Sequence, residues 1–203
     1  MIHRRHLMLA SAGAAALGLL APYAAAAQDL TREAVFYDPD APVLGNPDGD
    51  VTVVEFFDYQ CPYCKRIHPV LEKVVREDGK VRLVLKDWPV FGEASIFAAQ
   101  AVLGAAQIGQ YEKAMAALMN TSGRLTEESV ELALTDAGLS MDDIADAVKS
   151  NNAKISGLLD RNYRQAEAFN FTGTPSFVIG RSVFAGVLDE QGLKQAIADA
   201  RAP

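Results

Sequence analysis

The sequence predicts an α/β chain: strands on either side of a long helical block, and a pair of cysteines where a strand feeds a helix. Three observations carry this. Val51–Asp58 is rich in β-branched and aromatic residues and runs directly into a stretch with helical spacing. Lys80–Lys86 alternates charged with apolar residues, as a strand does. From Glu93 to about Phe169 no strand-like run occurs, and short β-type segments return only afterwards.

The 203 residues are 50% hydrophobic and 22% charged, enough apolar material for one substantial core and too little bias for a disordered or fibrous chain. Lysine and arginine number 19 against 26 acids, for a net charge of −7 with no basic stripe. Nucleic acid and anionic membrane surfaces are therefore poor partners. The N-terminus places Arg4 and Arg5 before an apolar run from Leu7 to Leu20, then small residues up to Ala27. This order predicts an export signal over residues 1–27, cleaved after Ala27, with an uncleaved membrane anchor as the other reading. Arg4-Arg5 also admits twin-arginine export, although the aromatic and lysine that usually follow are missing. The mature protein is expected to be soluble and to work in the periplasm, or otherwise outside the cytoplasm.

Gly45–Asp50 is turn-like, so the strand starts near Val51, and Ile67, Val70, Leu71, Val74 and Val75 recur at helical spacing until Asp78-Gly79 stops the run. Lys80–Lys86 is expected to pair parallel to the first strand across that helix. Within residues 93–169, breaks at Gly109, Gly123 and Gly138 divide the helical block into four or five helices. Thr126 is the expected cap of one of them, with Ser129 standing where the reciprocal glutamate of a capping box would be, so only half a box is expected. Ser176–Ile179, a turn at Gly180-Arg181, Val183–Ala185 and a helix from Glu190 to about Ala200 complete the chain. Met115, Met119 and Met141 fit either a core or a peptide-binding surface, and Trp88 fits either a cleft wall or a strand end.

Cys61 and Cys64 are the only cysteines. A bond between them closes the smallest ring common in proteins, so a stapling role gains little chain entropy. A structural zinc site needs about four ligands, and beyond the export segment only His68 could join them; it is read as a surface residue, and no metal is expected. A redox pair remains. Unsatisfied backbone amides and the positive end of the helix dipole favour an anion at a helix start, and Pro62 suits the first turn. Cys61 is expected to present an exposed, acidic nucleophilic sulfur, with Cys64 inward as the resolving thiol. Val53, Val54, Phe56 and Phe57 are apolar on both strand faces, so Glu55 between them is expected to be buried and reluctant to ionise.

The segment Glu55-Phe-Phe-Asp-Tyr-Gln-Cys61-Pro-Tyr-Cys64-Lys65, with Pro69 in the following helix and Thr172-Gly-Thr-Pro175-Ser-Phe-Val178 far downstream, resembles the thioredoxin-fold thiol-disulfide oxidoreductases. The closest likeness is to the exported DsbA-like family, and it extends from about Pro42 to the end. It implies a thioredoxin-like fold with an inserted all-helical subdomain: an N-terminal extension with a short edge strand over 28–50, a thioredoxin-like domain over 51–91 and 171–203, and the helical insertion over 92–170. It implies that Glu55 relays protons to the inner thiol and that Pro175 is cis. A cis Pro175 would leave the backbone of Thr174 open to an extended substrate strand. The implied chemistry is thiol–disulfide exchange that introduces disulfides into unfolded or thiol-bearing exported proteins. It needs no cofactor beyond the cysteine pair, and a DsbB-like membrane protein would reoxidise it. Pro62 and Tyr63 tune the pair. Because Tyr63 replaces the imidazole of the strongest oxidants, an oxidant milder than the prototype's ~ −120 mV is expected. Thr174 before Pro175 resembles the isomerases and reductases of the DsbC/DsbG or ScsC type, which are oligomeric. The short segment before Pro42 has no heptad, so a monomeric oxidase is the first expectation and an oligomeric isomerase the second. A third is a non-catalytic chaperone or peptide-binding module.

Overall fold

The computed structural model describes residues 30–202. The export signal expected over residues 1–27 lies outside the described residues.

A short helix, α1 (Arg32–Phe36), precedes an edge strand, β1 (Val43–Gly45). Then follow β2 (Val51–Phe57), α2 (Pro62–Asp78) and β3 (Val81–Asp87). Five helices come next: α3 (Glu93–Gln107), α4 (Tyr111–Met119), α5 (Glu127–Asp136), α6 (Met141–Ser150) and α7 (Asn152–Ala168). The chain returns through β4 (Ser176–Ile179) and β5 (Ser182–Ala185) to α8 (Glu190–Arg201). The strands form a sheet in the order β1-β3-β2-β4-β5. Only β2 and β3 are parallel, joined through the α2 crossover, while β1, β4 and β5 add antiparallel. Every residue of the central strand β2 is buried, which is why it reads as a continuous apolar run rather than an alternating one.

The sheet separates two apolar clusters. On one face Val53, Phe57, Leu83, Leu85 and Phe177 pack with Cys64, Leu71, Leu193 and the insertion residues Val102, Met115 and Leu118. On the other, Val54, Phe56, Val84 and Trp88 pack with Val35 and Phe36 of α1 and with Leu158 and Phe171. Phe56 meets Trp88, Phe169 and Phe171 edge-on at centroid distances of 6.5, 6.2 and 5.3 Å. Trp88 thus belongs to the core behind the sheet. Met115 and Met119 are buried and Met141 packs against the core, so the helix-spaced methionines are core residues as well.

Along α2, Cys64, Ile67, His68, Leu71, Val74 and Val75 make the buried stripe. His68 is therefore not a surface residue. It lies one turn beyond Cys64 on the same face, only 5% exposed, with Nε2 3.3 Å from Glu72 Oε1. Gly79 ends α2 in the left-handed conformation, φ 70°, its amide bonding the Val75 carbonyl. At α5 the capping box is complete: Ser129 N donates to Thr126 Oγ1 and Thr126 N donates to Ser129 Oγ, at 3.1 and 2.9 Å. The serine hydroxyl does what a glutamate would.

Lys86 departs from the alternation that identified its strand. Its ammonium is fully buried, 3.6 Å from Asp38 Oδ2, and Asp38 in turn takes two hydrogen bonds from Arg161, at 2.9 and 3.0 Å. The back of the sheet is covered by α1 and α7, so a residue aimed there needs a counter-ion, and the loop after α1 supplies it.

Candidate active site

Cys61 is the N-cap of α2, with Pro62 in the first turn, and its sulfur accepts from the Cys64 amide at 3.4 Å. The thiol donates to the Thr174 carbonyl at 3.2 Å. Both cysteines are free. The expectation of an exposed Cys61 sulfur is corrected here: the residue is 1% exposed, because the Thr174 segment closes over it from β4. The Thr174 carbonyl is likewise occupied by Cys61 while the pair is reduced. The Thr174–Pro175 bond is cis. Thr174, Ser176, Ala185, Val187 and Tyr63 line a groove of about 280 Å³ beside the cysteines. Tyr63 is 52% exposed, and the Arg66 guanidinium lies 4.7 Å over its ring.

The two thiols are held in opposite states. A hydrogen bond from the Cys64 thiol does most to bring Cys61 down to about 6, aided by the Thr174 hydroxyl and the Cys64 and Tyr63 amides and opposed by burial. Burial drives Cys64 far upward, and its hydrogen bond to Cys61 and the nearby Glu55 charge add to this. Glu55 is completely buried on the same sheet face, neither carboxyl oxygen has a hydrogen-bond partner, and burial followed by the Cys61 charge raises it to about 8. The site therefore combines a stabilised thiolate, a protonated inner thiol and a protonated acid beneath them.

Several polar residues around this centre escaped the sequence reading. Asp58 accepts from Gln60 N, Val90 N and Ser95 Oγ at 2.7, 2.7 and 2.8 Å, fixing the loop into α3 against the site. Gln60 bonds Phe91 O and Leu125 N, and Lys65 Nζ bonds Thr121 O and Oγ1 at 2.9 and 2.7 Å. The insertion is thereby laced to the start of α2. The acids and amides beside the cysteines were visible as residue types, but apart from the Gln60 amide two residues from Asp58 their partners lie 31 to 65 positions away.

A strand-to-helix dithiol with a buried acid beneath it and a cis-proline segment across it defines a thioredoxin-fold redox protein. The family described as Thioredoxin matches residues 38–199. The chain belongs to that family and, within it, to the DsbA-like thiol-disulfide oxidoreductases. A thioredoxin-like oxidoreductase from Silicibacter pomeroyi DSS-3 is 41% identical, with a TM-score of 0.81 over 84% of this chain and 98% of that one. The thiol-disulfide exchange protein alpha-DsbA2 from Wolbachia pipientis is 26% identical, TM-score 0.77, over 88% and 97%. The catalytic domain of Proteus mirabilis ScsC is 28% identical, TM-score 0.72, over 85% and 97%. Among curated proteins, the thiol:disulfide interchange protein DsbA of Bordetella parapertussis is 27% identical over 85% of this chain and 82% of its own. Na(+)/H(+) antiporter NhaA 1 of Mycobacterium sp. (strain KMS) is 25% identical over 76% of this chain but 26% of its own, so the chain spans about a quarter of that relative.

Proposed function

We propose that the protein oxidises thiol-bearing exported proteins, passing the disulfide of Cys61 and Cys64 to them. A substrate thiolate attacks Cys61 Sγ; the bond between the cysteines breaks, and Cys64 leaves with the electron pair and takes the proton of Glu55. A second substrate thiolate then attacks the substrate sulfur of the mixed disulfide. The substrate disulfide forms, Cys61 leaves as a thiolate, and two electrons have passed to the cysteine pair. Pro62 and Tyr63 tune that leaving group, and Thr174 and Pro175 hold an extended substrate in the groove by its main chain. No cofactor is required beyond the pair itself. A DsbB-like membrane protein reoxidises it, in the periplasm or another exported compartment, and the protein acts as a monomer. Among the described residues no helix is long and apolar enough to cross a membrane.

The observation that carries this reading is the opposed ionisation of the two thiols with Glu55 protonated beneath them. A low nucleophile pKa favours the reduced form and hence oxidation of substrates, and about 6 for Cys61 falls between the ~7 of thioredoxin and the ~3.5 of DsbA. The modest thiolate and Thr174 favour a second reading, an isomerase or reductase of the ScsC type. Equilibration with graded reduced and oxidised glutathione, read by trapping the free thiols, separates these. A midpoint between about −120 and −230 mV in a monomer supports the oxidant, and the same midpoint in an oligomer supports the isomerase. A midpoint near the ~ −270 mV of thioredoxin overturns oxidation as the physiological direction.

A further inference from the structure

Behind Glu55 lies a polar cluster that the exchange steps above do not use. Asp87 ends β3, opposite Phe57 of β2, and Glu55 lies opposite Leu85, so in this parallel register both acids face the side of the sheet that carries Cys64. Tyr59, from the loop before Cys61, places its hydroxyl against the Asp87 carboxyl. Tyr111, at the start of α4, lies beside Tyr59 and within electrostatic reach of both Asp87 and Glu55. The Glu55 and Asp87 carboxyl oxygens and both phenol oxygens are buried, and none completes a hydrogen bond of ordinary geometry.

An ion-pair role does not account for Asp87. The charge that acts on it is that of another acid, Asp58, and the adjacent Lys86 faces the opposite side of the sheet with Asp38. From α7, Asn162 Nδ2 bonds only the Asp87 backbone carbonyl, at 3.0 Å. From β4, the residue opposite Glu55 is the apolar Phe177. From the start of α2, the ionisable neighbours are Cys61 at the cap and Cys64, with Lys65 bonded to Thr121 and within electrostatic reach of Asp58 and Cys61. Burial without a cation raises Asp87 to about 7, so it is poised to hold or release a proton at neutral pH. Buried polar groups without a protein partner are a mark of functional chemistry rather than of packing.

We propose that Asp87 is a second proton-holding residue of the cysteine pair, connected to Glu55 through the phenols of Tyr111 and Tyr59. The proposal rests on the reading of Glu55 as the proton partner of Cys64. When Cys64 leaves as a thiolate and takes the Glu55 proton, the Asp87 carboxyl releases a proton and Glu55 regains one, by way of the Tyr59 phenol against Asp87 and the Tyr111 phenol, which comes within electrostatic reach of Glu55 rather than into a standing hydrogen bond with it. Asp87 ends ionised, Glu55 ends protonated, and no electron moves among them. The new negative charge is thereby carried away from the Cys61 sulfur, which must itself become anionic in the next step. Asp87 touches no reacting atom and is a positioning residue for protons. The helical insertion supplies one of the two phenols.

The test is the rate at which dithiothreitol reduces the oxidised protein, corrected for its thiolate fraction, between pH 5 and 9. It is measured for the wild type and for Glu55→Gln, Asp87→Asn, Tyr111→Phe and the Glu55→Gln/Asp87→Asn double variant. Asp87→Asn is expected to slow the reaction about tenfold at neutral pH and to remove the inflection near neutrality from the pH profile. The double variant is expected to be no slower than Glu55→Gln alone, because residues acting in series are not additive. Tyr111→Phe changes no charge, is expected to reproduce part of the slowing, and carries the test if Asp87→Asn fails to fold. Multiplicative losses in the double variant, or a wild-type pH profile in the Asp87 and Tyr111 variants, overturn the relay and leave Glu55 in its role. Loss of any effect from Glu55→Gln overturns both. The glutathione midpoint is read separately, so the direction of exchange stands or falls without this result.

Discussion

Replacing Glu55 with glutamine is expected to stabilise the protein, and by an amount set by pH. The carboxyl is completely buried without a hydrogen-bond partner and is raised from 4.5 to about 8. A raised carboxyl pKa means that the folded state binds the proton more tightly than the unfolded state. Its contribution is therefore intact below 4.5, is lost progressively as pH rises from 4.5 to 8, and is constant above that. Neutral pH lies about 2.5 pH units above the ordinary value, so at 1.36 kcal/mol per unit the residue costs about 3 kcal/mol at pH 7. At pH 8 the cost grows to about 4 kcal/mol. Guanidinium denaturation of reduced wild type and Glu55→Gln should give stability differences that grow by these amounts between pH 4 and 8. The glutamine amide has its own desolvation cost, but that offset does not vary with pH and cancels in the comparison. Because the Cys61 charge is the second cause of the raised value, the growth should be smaller in the oxidised protein. A gain equal at pH 4 and pH 8, or a destabilisation that deepens as pH rises, would show that burial does not hold Glu55 in its neutral form.

Two further outcomes follow from the same geometry. Cys64→Ala removes the hydrogen bond that does most to lower Cys61, and bonds to a charged group are worth ~1.5–3 kcal/mol. Cys61 should accordingly titrate about one to two pH units higher in that variant, read by thiolate absorbance or by alkylation rate against pH. On the back of the sheet, Lys86→Met leaves Asp38 buried with Arg161 as its remaining cation and should cost roughly 3 kcal/mol in chemical denaturation. Lys86→Met combined with Asp38→Leu should cost less than the single change, because the unbalanced charge is gone.

The sequence made legible those features that a local pattern determines. β2, the length of α2 and its stop at Gly79, the parallel pairing of β3, a block of four or five helices and the return through β4 and β5 all follow from periodicity and turn chemistry in short windows. What it hid depended on the other side of a contact. Lys86 reads only as one charged residue of an alternating strand, and its burial follows from α1 and the Asp38 loop covering that face. His68 reads as surface because one histidine in a helix carries no partner in its own sequence window, yet its place one turn after Cys64 put it on the buried stripe. Ser129 completed a capping box usually closed by a longer side chain, which only the folded turn reveals. At the site itself Cys61, Cys64, Glu55 and the Thr174-Pro175 pair were readable because their motifs are compact. Asp58, Gln60, Lys65, Asp87 and Tyr111 were not, since each matters through a residue from another element.

Lys86 and Asp87 show how one strand serves both stability and chemistry. They are neighbours in β3, both fully covered, and they face opposite sides of the sheet. On one side the charge meets Asp38 within 3.6 Å, and Arg161 completes the cluster, so removing a partner is expected to weaken the fold. On the other, Asp87 and Glu55 have no cation, and both are pushed upward by burial. Natural interiors do not keep uncompensated acids for stability, because an amide or an apolar side chain of similar volume would serve the fold better. Two such acids on the face that carries Cys64, with two phenols beside them, are an arrangement for holding protons at neutral pH. A cysteine pair in which one sulfur ionises near pH 6 and the other stays protonated needs that store each time its disulfide opens or closes. The covered, ion-paired face of β3 anchors the sheet, and the unpaired face carries a loss of stability that the proposed proton-holding role would account for.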